Sequence, residues 1–320
     1  MQLELTFCSE AHSSSFQVLE VAQGNPIGKV WNQEIPLTES GQLILGGLHT
    51  AAENINPAFF LESIGSLAVV AALLLMYRKR GLTLPVLGIT AASYFIAISL
   101  KEILQYYTLG GMVSAYGYSS VPTGLYLGAQ TVVFEVFGAF LFAMAFKKYV
   151  RQANAGAYGL SLAFWENGIL LGILPLISLV SDFYIIGYGP ASLSTLVYNA
   201  LQKTSPGLFV GTLQALPVVG YSVLERISSL LMHYSWGFLV VSSVTTRKRI
   251  YLAYALPMGF VDSIVPFAGK LGLPISEGIF FLAGLLALFI ALRVRKEVGR
   301  MDKSGGKMET KAGPENQGGP

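Results

Sequence analysis

The sequence predicts an all-α polytopic membrane protein with about seven transmembrane helices. Mean hydropathy is +0.56 over the 320 residues, and only 12% of them are charged. Apolar runs of about 20 residues, the length that crosses a bilayer as a helix, recur along the chain. Positive residues gather at the ends of alternate runs, as they do in membrane proteins of fixed orientation.

The apolar runs, in chain order, cover residues 58–76, 83–103, 123–146, 156–180, 208–245, 251–269 and 274–294. The fifth run is too long for one helix perpendicular to the membrane. Pro206 and Pro217 bracket its first part. Because proline inside a helix removes a hydrogen bond and kinks the axis, we expect 218–245 to span and 207–217 to form a re-entrant or interfacial approach.

Clusters of lysine and arginine follow the first, third, fifth and seventh runs, at 78–80, 147–151, 247–249 and 293–303. The other loops hold only Lys29, Lys203 and Lys270, with Lys101 near the end of the second run. Seven spans place every cluster on one side, which predicts a plasma-membrane protein with its N-terminus outside and its C-terminus in the cytoplasm. The positive charge is thus a topology signal, so we expect the lipid bilayer and no nucleic acid as a partner.

The two ends differ in composition from the membrane domain, which we assign to 57–298. Residues 1–56 contain short, partly alternating apolar runs broken by turn residues, which predicts a small β-rich extracytoplasmic segment. Residues 299–320 are rich in Gly, Lys, Glu and Pro, which predicts a disordered cytoplasmic tail. The single cysteine, Cys8, cannot form an intramolecular disulfide.

Ionisable side chains occur inside the apolar runs, where each costs about 2.5–3.5 kcal/mol and therefore marks a functional site by default. They are Glu135, Glu166, Glu225, Arg226, His233 and Asp262. Four consecutive runs offer an acid or an imidazole at similar depth, as helix bundles do when they hold a metal. Carboxylates with one imidazole suit Zn²⁺, or a harder cation such as Mn²⁺. A proton or cation pathway, or pairs that only pack helices, would use the same residue types.

The order of these residues resembles the intramembrane metalloprotease superfamily, which contains the CAAX prenyl proteases, the bacteriocin-processing proteins, and the YhfC-like and PrsW-like membrane peptidases. The YhfC-like branch is closest. The resemblance covers 125–267, within a protease-like core of about 123–269, and its motifs are Phe134-Glu135, the Trp-Glu-Asn-Gly segment at 165–168, Glu225-Arg226 with His233, and Asp262.

The resemblance implies a metal-dependent peptidase that cleaves membrane proteins or peptides near the membrane. It implies Glu135 as the general base, and Glu166, His233 and Asp262 as ligands of a divalent metal, with zinc expected. Arg226 would stabilise the developing oxyanion, on the His233 face of its helix. Two further residues, Asn167 and Glu225, would support the site.

The chain departs from the family motifs at four positions. Val136 replaces a second glutamate, Ala139 a basic residue, and Leu162 and Met258 histidines. A site with one imidazole is a poorer zinc site, because Zn²⁺ favours nitrogen and sulfur donors. Two alternatives therefore stay open: a catalytically inactive relative that acts as a membrane binding or scaffold protein, and an ion- or proton-coupled transporter.

Overall fold

A computed structural model describes residues 54–309, and all regular structure in that range is helical. Seven of its helices are long and apolar enough to cross a membrane, which confirms the predicted class of integral membrane protein. The predicted β-rich segment lies almost wholly outside the described residues, as does the chain after residue 309.

The spanning helices and one shorter helix are numbered in chain order. They are α1 (Pro57–Tyr77), α2 (Leu84–Tyr116), α3 (Val121–Ala145), α4 (Gln152–Tyr188), the short α5 (Ala191–Thr204), α6 (Thr212–Thr246), α7 (Arg249–Leu271) and α8 (Leu273–Met301). The α8 helix itself continues to Glu309, past residue 299, where the sequence predicted the tail to begin. The short helix α5 was not predicted, because serine, threonine, asparagine and lysine interrupt its apolar residues.

The predicted break in the fifth apolar run is wrong. A short 3₁₀ turn, Pro206–Phe209, precedes α6, and α6 then runs from Thr212 through Pro217 without interruption. Pro217 lies within the first two turns, where its ring removes a single hydrogen bond of the ladder. Membrane helices tolerate such a proline because neighbouring groups satisfy the freed carbonyl.

Local signals fix the hairpin between α2 and α3. Thr83 caps the start of α2 through the amide of Val86, and the helix ends at Gly117. The φ angle of Gly117 is +80°, a conformation that glycine adopts at little cost and other residues avoid. Ser120 then caps α3 through the amide of Thr123. Local sequence signals therefore set the end of α2 and the start of α3.

The described chain divides into two compact units. The first comprises residues up to Gly65 together with Leu170–Ser222, and the second comprises Ser66–Ile169 together with the chain from Val223. In the first unit an apolar core forms around Ile55, Phe59, Ile186, Leu208 and Ala215. Every predicted site residue lies in the second unit.

Among the spanning helices, α6 is the most buried: 72% of its most apolar segment is buried, against 22–39% for the others. Glycines let neighbouring helices approach closely. A Cβ atom on Gly237 of α6 would lie 2.9 Å from the backbone nitrogen of Gly159 in α4. A Cβ atom on Gly259 of α7 would lie 2.9 Å from the nitrogen of Val132 in α3. Small residues at such crossings bring together the helices that carry the ionisable side chains.

Candidate metal centre

Three of the predicted catalytic and metal-binding acids lie where the helices depart from α geometry. Glu135 is in a π-helical stretch, Thr131–Val136, and Glu166 is in another, Phe164–Ile173. Asp262 lies in a 3₁₀ stretch, Leu256–Phe267. Wide π turns rotate the side chains that follow them and occur often at functional sites. The direction of these carboxylates therefore depends on local distortion as well as on helical periodicity.

Glu135, Glu166 and His233 converge on one point from α3, α4 and α6. The distance from Glu166 Oε2 to His233 Nε2 is 2.7 Å, and that from Glu135 Oε2 to the same nitrogen is 3.6 Å. One ligand atom from each residue lies within 4.8 Å of the other two. Three helices thus present two carboxylates and an imidazole to a common position.

The hydrogen bonds of His233 determine which ring nitrogen carries a proton. Nδ1 lies 3.0 Å from the backbone carbonyl oxygen of Ser229, and a carbonyl only accepts, so Nδ1 carries a hydrogen. In the neutral ring the lone pair of Nε2 then faces the carboxylates of Glu135 and Glu166. Such an arrangement is repulsive unless a positive charge, either a proton or a bound cation, lies between them. Metal-binding histidines are commonly oriented by this type of hydrogen bond.

The facing atoms also satisfy a test for metal binding. Glu166 Oε2 and His233 Nε2 form a 2.7 Å ion pair, and neither atom has a further hydrogen-bond partner among the described residues, so both can turn towards a cation. Ligands of a tetrahedral zinc site lie about 3.3–3.6 Å apart, given metal–ligand bonds of about 2.0–2.2 Å. The 3.6 Å separation from Glu135 fits this range, and the shorter one requires a shift of about 0.6 Å. The donor set therefore fits a divalent cation.

A hydrogen-bonded layer supports these ligands. Ser229 Oγ donates to Glu166 Oε1 over 3.1 Å, and the side-chain amide of Asn167 donates to Ser229 Oγ over 3.1 Å. Ser66 Oγ in turn donates to the backbone carbonyl of Asn167 over 2.7 Å. Such contacts fix ligand orientation and typically affect metal affinity by about 10–100-fold.

Lys101 is a site residue that the sequence analysis missed. Its Nζ donates to Glu135 Oε1 over 2.9 Å, to Thr131 Oγ1 over 3.0 Å and to Asp262 Oδ2 over 3.2 Å. The sequence suggested that Lys101 lies near the end of a span, but α2 continues to Tyr116 and places it inside the helix. Leu104, Tyr106, Tyr107 and Leu109, which follow it, were the signal in the sequence that the helix continues.

Asp262 and Arg226 take positions beside the convergent trio. Asp262 pairs with Lys101 and accepts a hydrogen bond from Thr131. Arg226 is buried and pairs with the neighbouring Glu225. Glu277 of α8, which the sequence did not indicate, is also buried.

The balance of charges favours a divalent cation. With a neutral imidazole, the carboxylates of Glu135, Glu166 and Asp262 and the ammonium of Lys101 give a formal charge of −2. A net charge inside a bilayer is costly, and buried charges are normally compensated by a partner or a metal. One divalent ion would neutralise this group.

Aromatic rings and apolar side chains enclose the centre. The ring of Trp236 lies 4.2 Å from that of His233, centroid to centroid, and Tyr94 lies 6.3 Å from it. The positions that depart from the family motifs pack into the apolar core, with 0–7% exposure: Val136, Ala139, Leu162 and Met258. Because Leu162 and Met258 stand where the family motifs have histidines, His233 is the only imidazole in the part of the chain that the structure describes.

Seven helices that can span a membrane and a buried carboxylate–imidazole centre define an integral membrane protein with a candidate metal site. The profile of the YhfC intramembrane metalloprotease family matches residues 65–266, and the chain belongs to this family. The match extends the resemblance seen at 125–267 towards the N-terminus, so that it includes α2 and Lys101. No curated protein and no solved structure gave a significant match.

Proposed function

We propose that the protein is a zinc-dependent peptidase that cleaves membrane proteins or peptides within or next to the bilayer. The observation that carries the proposal is the convergence of Glu135, Glu166 and His233 at a group of formal charge −2. Glu166 and His233 would supply two protein ligands of a catalytic zinc site, which keeps an open position for water, and Glu135 lies beside them with Oε2 3.6 Å from His233 Nε2. Membership of a metalloprotease family gives the reaction class.

Each residue then has a defined task. Glu166 and His233 would hold a divalent cation, which would polarise the peptide carbonyl and make a nearby water more acidic. Glu135 accepts a proton from the attacking water and passes it to the leaving nitrogen, as a general base within hydrogen-bond reach does. Lys101 holds Oε1 of Glu135, which leaves Oε2 on the side of His233.

The remaining residues orient or balance the centre. Ser229 fixes His233 and Glu166, and the contacts of Asp262 favour a role in holding Lys101 over direct ligation. We propose that Arg226 supplies positive charge to the oxyanion, supported by its burial and its place on the His233 face of α6, seven residues before that histidine. Its pairing with Glu225 keeps the guanidinium in place.

Metal content and cleavage of the full-length protein in lipid nanodiscs would test this function. We expect about one zinc ion per chain, as one convergent centre implies, and new N-termini in a pool of solubilised membrane proteins, detected by mass spectrometry. A chelator should abolish the cleavage, and zinc should restore it.

Other outcomes of that experiment select the alternatives. A metal-free protein that cleaves nothing but co-purifies with a membrane protein would indicate an inactive binding or scaffold protein. Ion flux in liposomes without cleavage would indicate a transporter.

We also propose that the protein lies in the plasma membrane with its N-terminus outside and its C-terminus in the cytoplasm. Given the seven candidate spans, the clusters after α1, α3 and α6 and the one at the end of α8 fall on the same side. Reporter fusions after Arg80 and after Lys203 should report opposite sides. A common side for both would contradict the orientation.

A further inference from the structure

The ammonium group of Lys101 has the surroundings of a bound cation. Oxygen atoms of Glu135, Thr131 and Asp262 lie 2.9, 3.0 and 3.2 Å from Nζ. The Lys101 side chain is only 16% exposed, in a helix interior where an uncompensated lysine is rare. Two carboxylates and a hydroxyl are also the donors that hard divalent cations prefer.

Glu135 connects this position to the candidate metal centre. Its Oε1 accepts from Lys101, while its Oε2 lies 3.6 Å from His233 Nε2. One carboxylate thus faces two positive positions: Lys101 holds Oε1, while Oε2 lies beside the metal position.

We propose that the ammonium group of Lys101 takes the place of a second metal cation. It occupies a second cation position, next to the metal position, and Glu135 lies between the two. The inference rests on the proposed function, because the first position is the one assigned to zinc. Lys101 is a positioning residue in this arrangement, since it holds Glu135 and Asp262. Its positive charge also leaves the group with a formal charge of −2, which one divalent ion neutralises.

Removing the ammonium should turn its position into a metal site. Without Lys101 the group has a formal charge of −3, which one divalent ion does not neutralise. Alanine would leave a space lined by the oxygens of Glu135, Asp262 and Thr131. Methionine would remove the same charge and the same hydrogen bonds but would fill the space. The two variants therefore separate a cation position from an ordinary ion pair between helices.

The test uses the full-length protein in nanodiscs, loaded with zinc and then titrated with Mn²⁺, with both metals counted by mass spectrometry. We expect Lys101→Ala to bind about one Mn²⁺ per chain, and the wild type and Lys101→Met to bind less than about one tenth of that amount. Manganese should also raise the unfolding temperature of Lys101→Ala alone. Ser99→Ala, an exposed change on the same helix, is the matched control and should behave as the wild type.

Each result decides one claim. Equal and low Mn²⁺ binding by folded Lys101→Ala and Lys101→Met would overturn the inference, while normal zinc content would leave the proposed function intact. Mn²⁺ binding by Lys101→Ala in a protein that takes no zinc would support the second position and contradict the first. If Lys101→Ala does not fold, Lys101→Ser offers the same space, and its yield of folded protein should rise when Mn²⁺ is present during purification. A yield that does not respond to Mn²⁺ would overturn the inference.

Discussion

Replacing His233 with alanine should lower the zinc content from about one ion per chain to less than about one tenth, since it removes a direct zinc ligand. His233 is the only nitrogen donor of the convergent group in the described chain, and Zn²⁺ prefers nitrogen to oxygen. Loss of a supporting residue typically costs about 10–100-fold in metal affinity, and loss of a ligand should cost more. Elemental analysis of the purified protein, with a zinc titration of the metal-free form, measures the effect.

The matched control for this change is Ser235→Ala. Ser235 lies two residues further along α6, is equally buried, and donates to the carbonyl of Leu231 rather than to the site. It should keep the full zinc content. Because Trp236 packs against the His233 ring, alanine also leaves a cavity, and His233→Gln provides a larger substitute. Zinc content equal to the wild type in both folded variants would show that the metal binds elsewhere.

Replacing Glu135 with glutamine should reduce peptide hydrolysis by about 10²–10⁴-fold, the usual contribution of a general base. Glutamine has the shape of glutamate, and its carbonyl oxygen can still accept from Lys101. The amide group at the second position cannot take a proton from water. Initial rates on the cleaved membrane substrate, corrected for the zinc content of the same sample, measure the loss.

Glu102→Gln makes the same chemical change at an exposed position of α2 and should leave the rate unchanged. A Glu135→Gln variant with normal zinc and more than half of the wild-type rate would exclude Glu135 as the base. A variant that loses zinc together with activity would instead identify Glu135 as a ligand. Measuring both quantities on one preparation distinguishes the two roles.

The sequence by itself determined that the chain is a membrane protein, because the cost of placing polar groups in lipid requires long apolar runs with few charged residues. It also determined the seven spanning segments and the residues worth attention within them, since a charge in an apolar run is costly wherever the helix lies. The motif order pointed to the YhfC-like branch, and the family match over 65–266 bears this out. All of these are properties of short segments, and they can be predicted without knowing how the helices pack.

Only the tertiary structure decided which charges meet. The π-helical stretches at Glu135 and Glu166 change the direction of both side chains, which a periodicity of 3.6 residues does not predict. Lys101 joins the site because α2 continues past the predicted span and packs beside α3. Asp262 pairs with that lysine, a partner 161 residues away in the chain. Such contacts depend on the separation and rotation of whole helices, and these are set by close approaches such as that of Gly237 to Gly159.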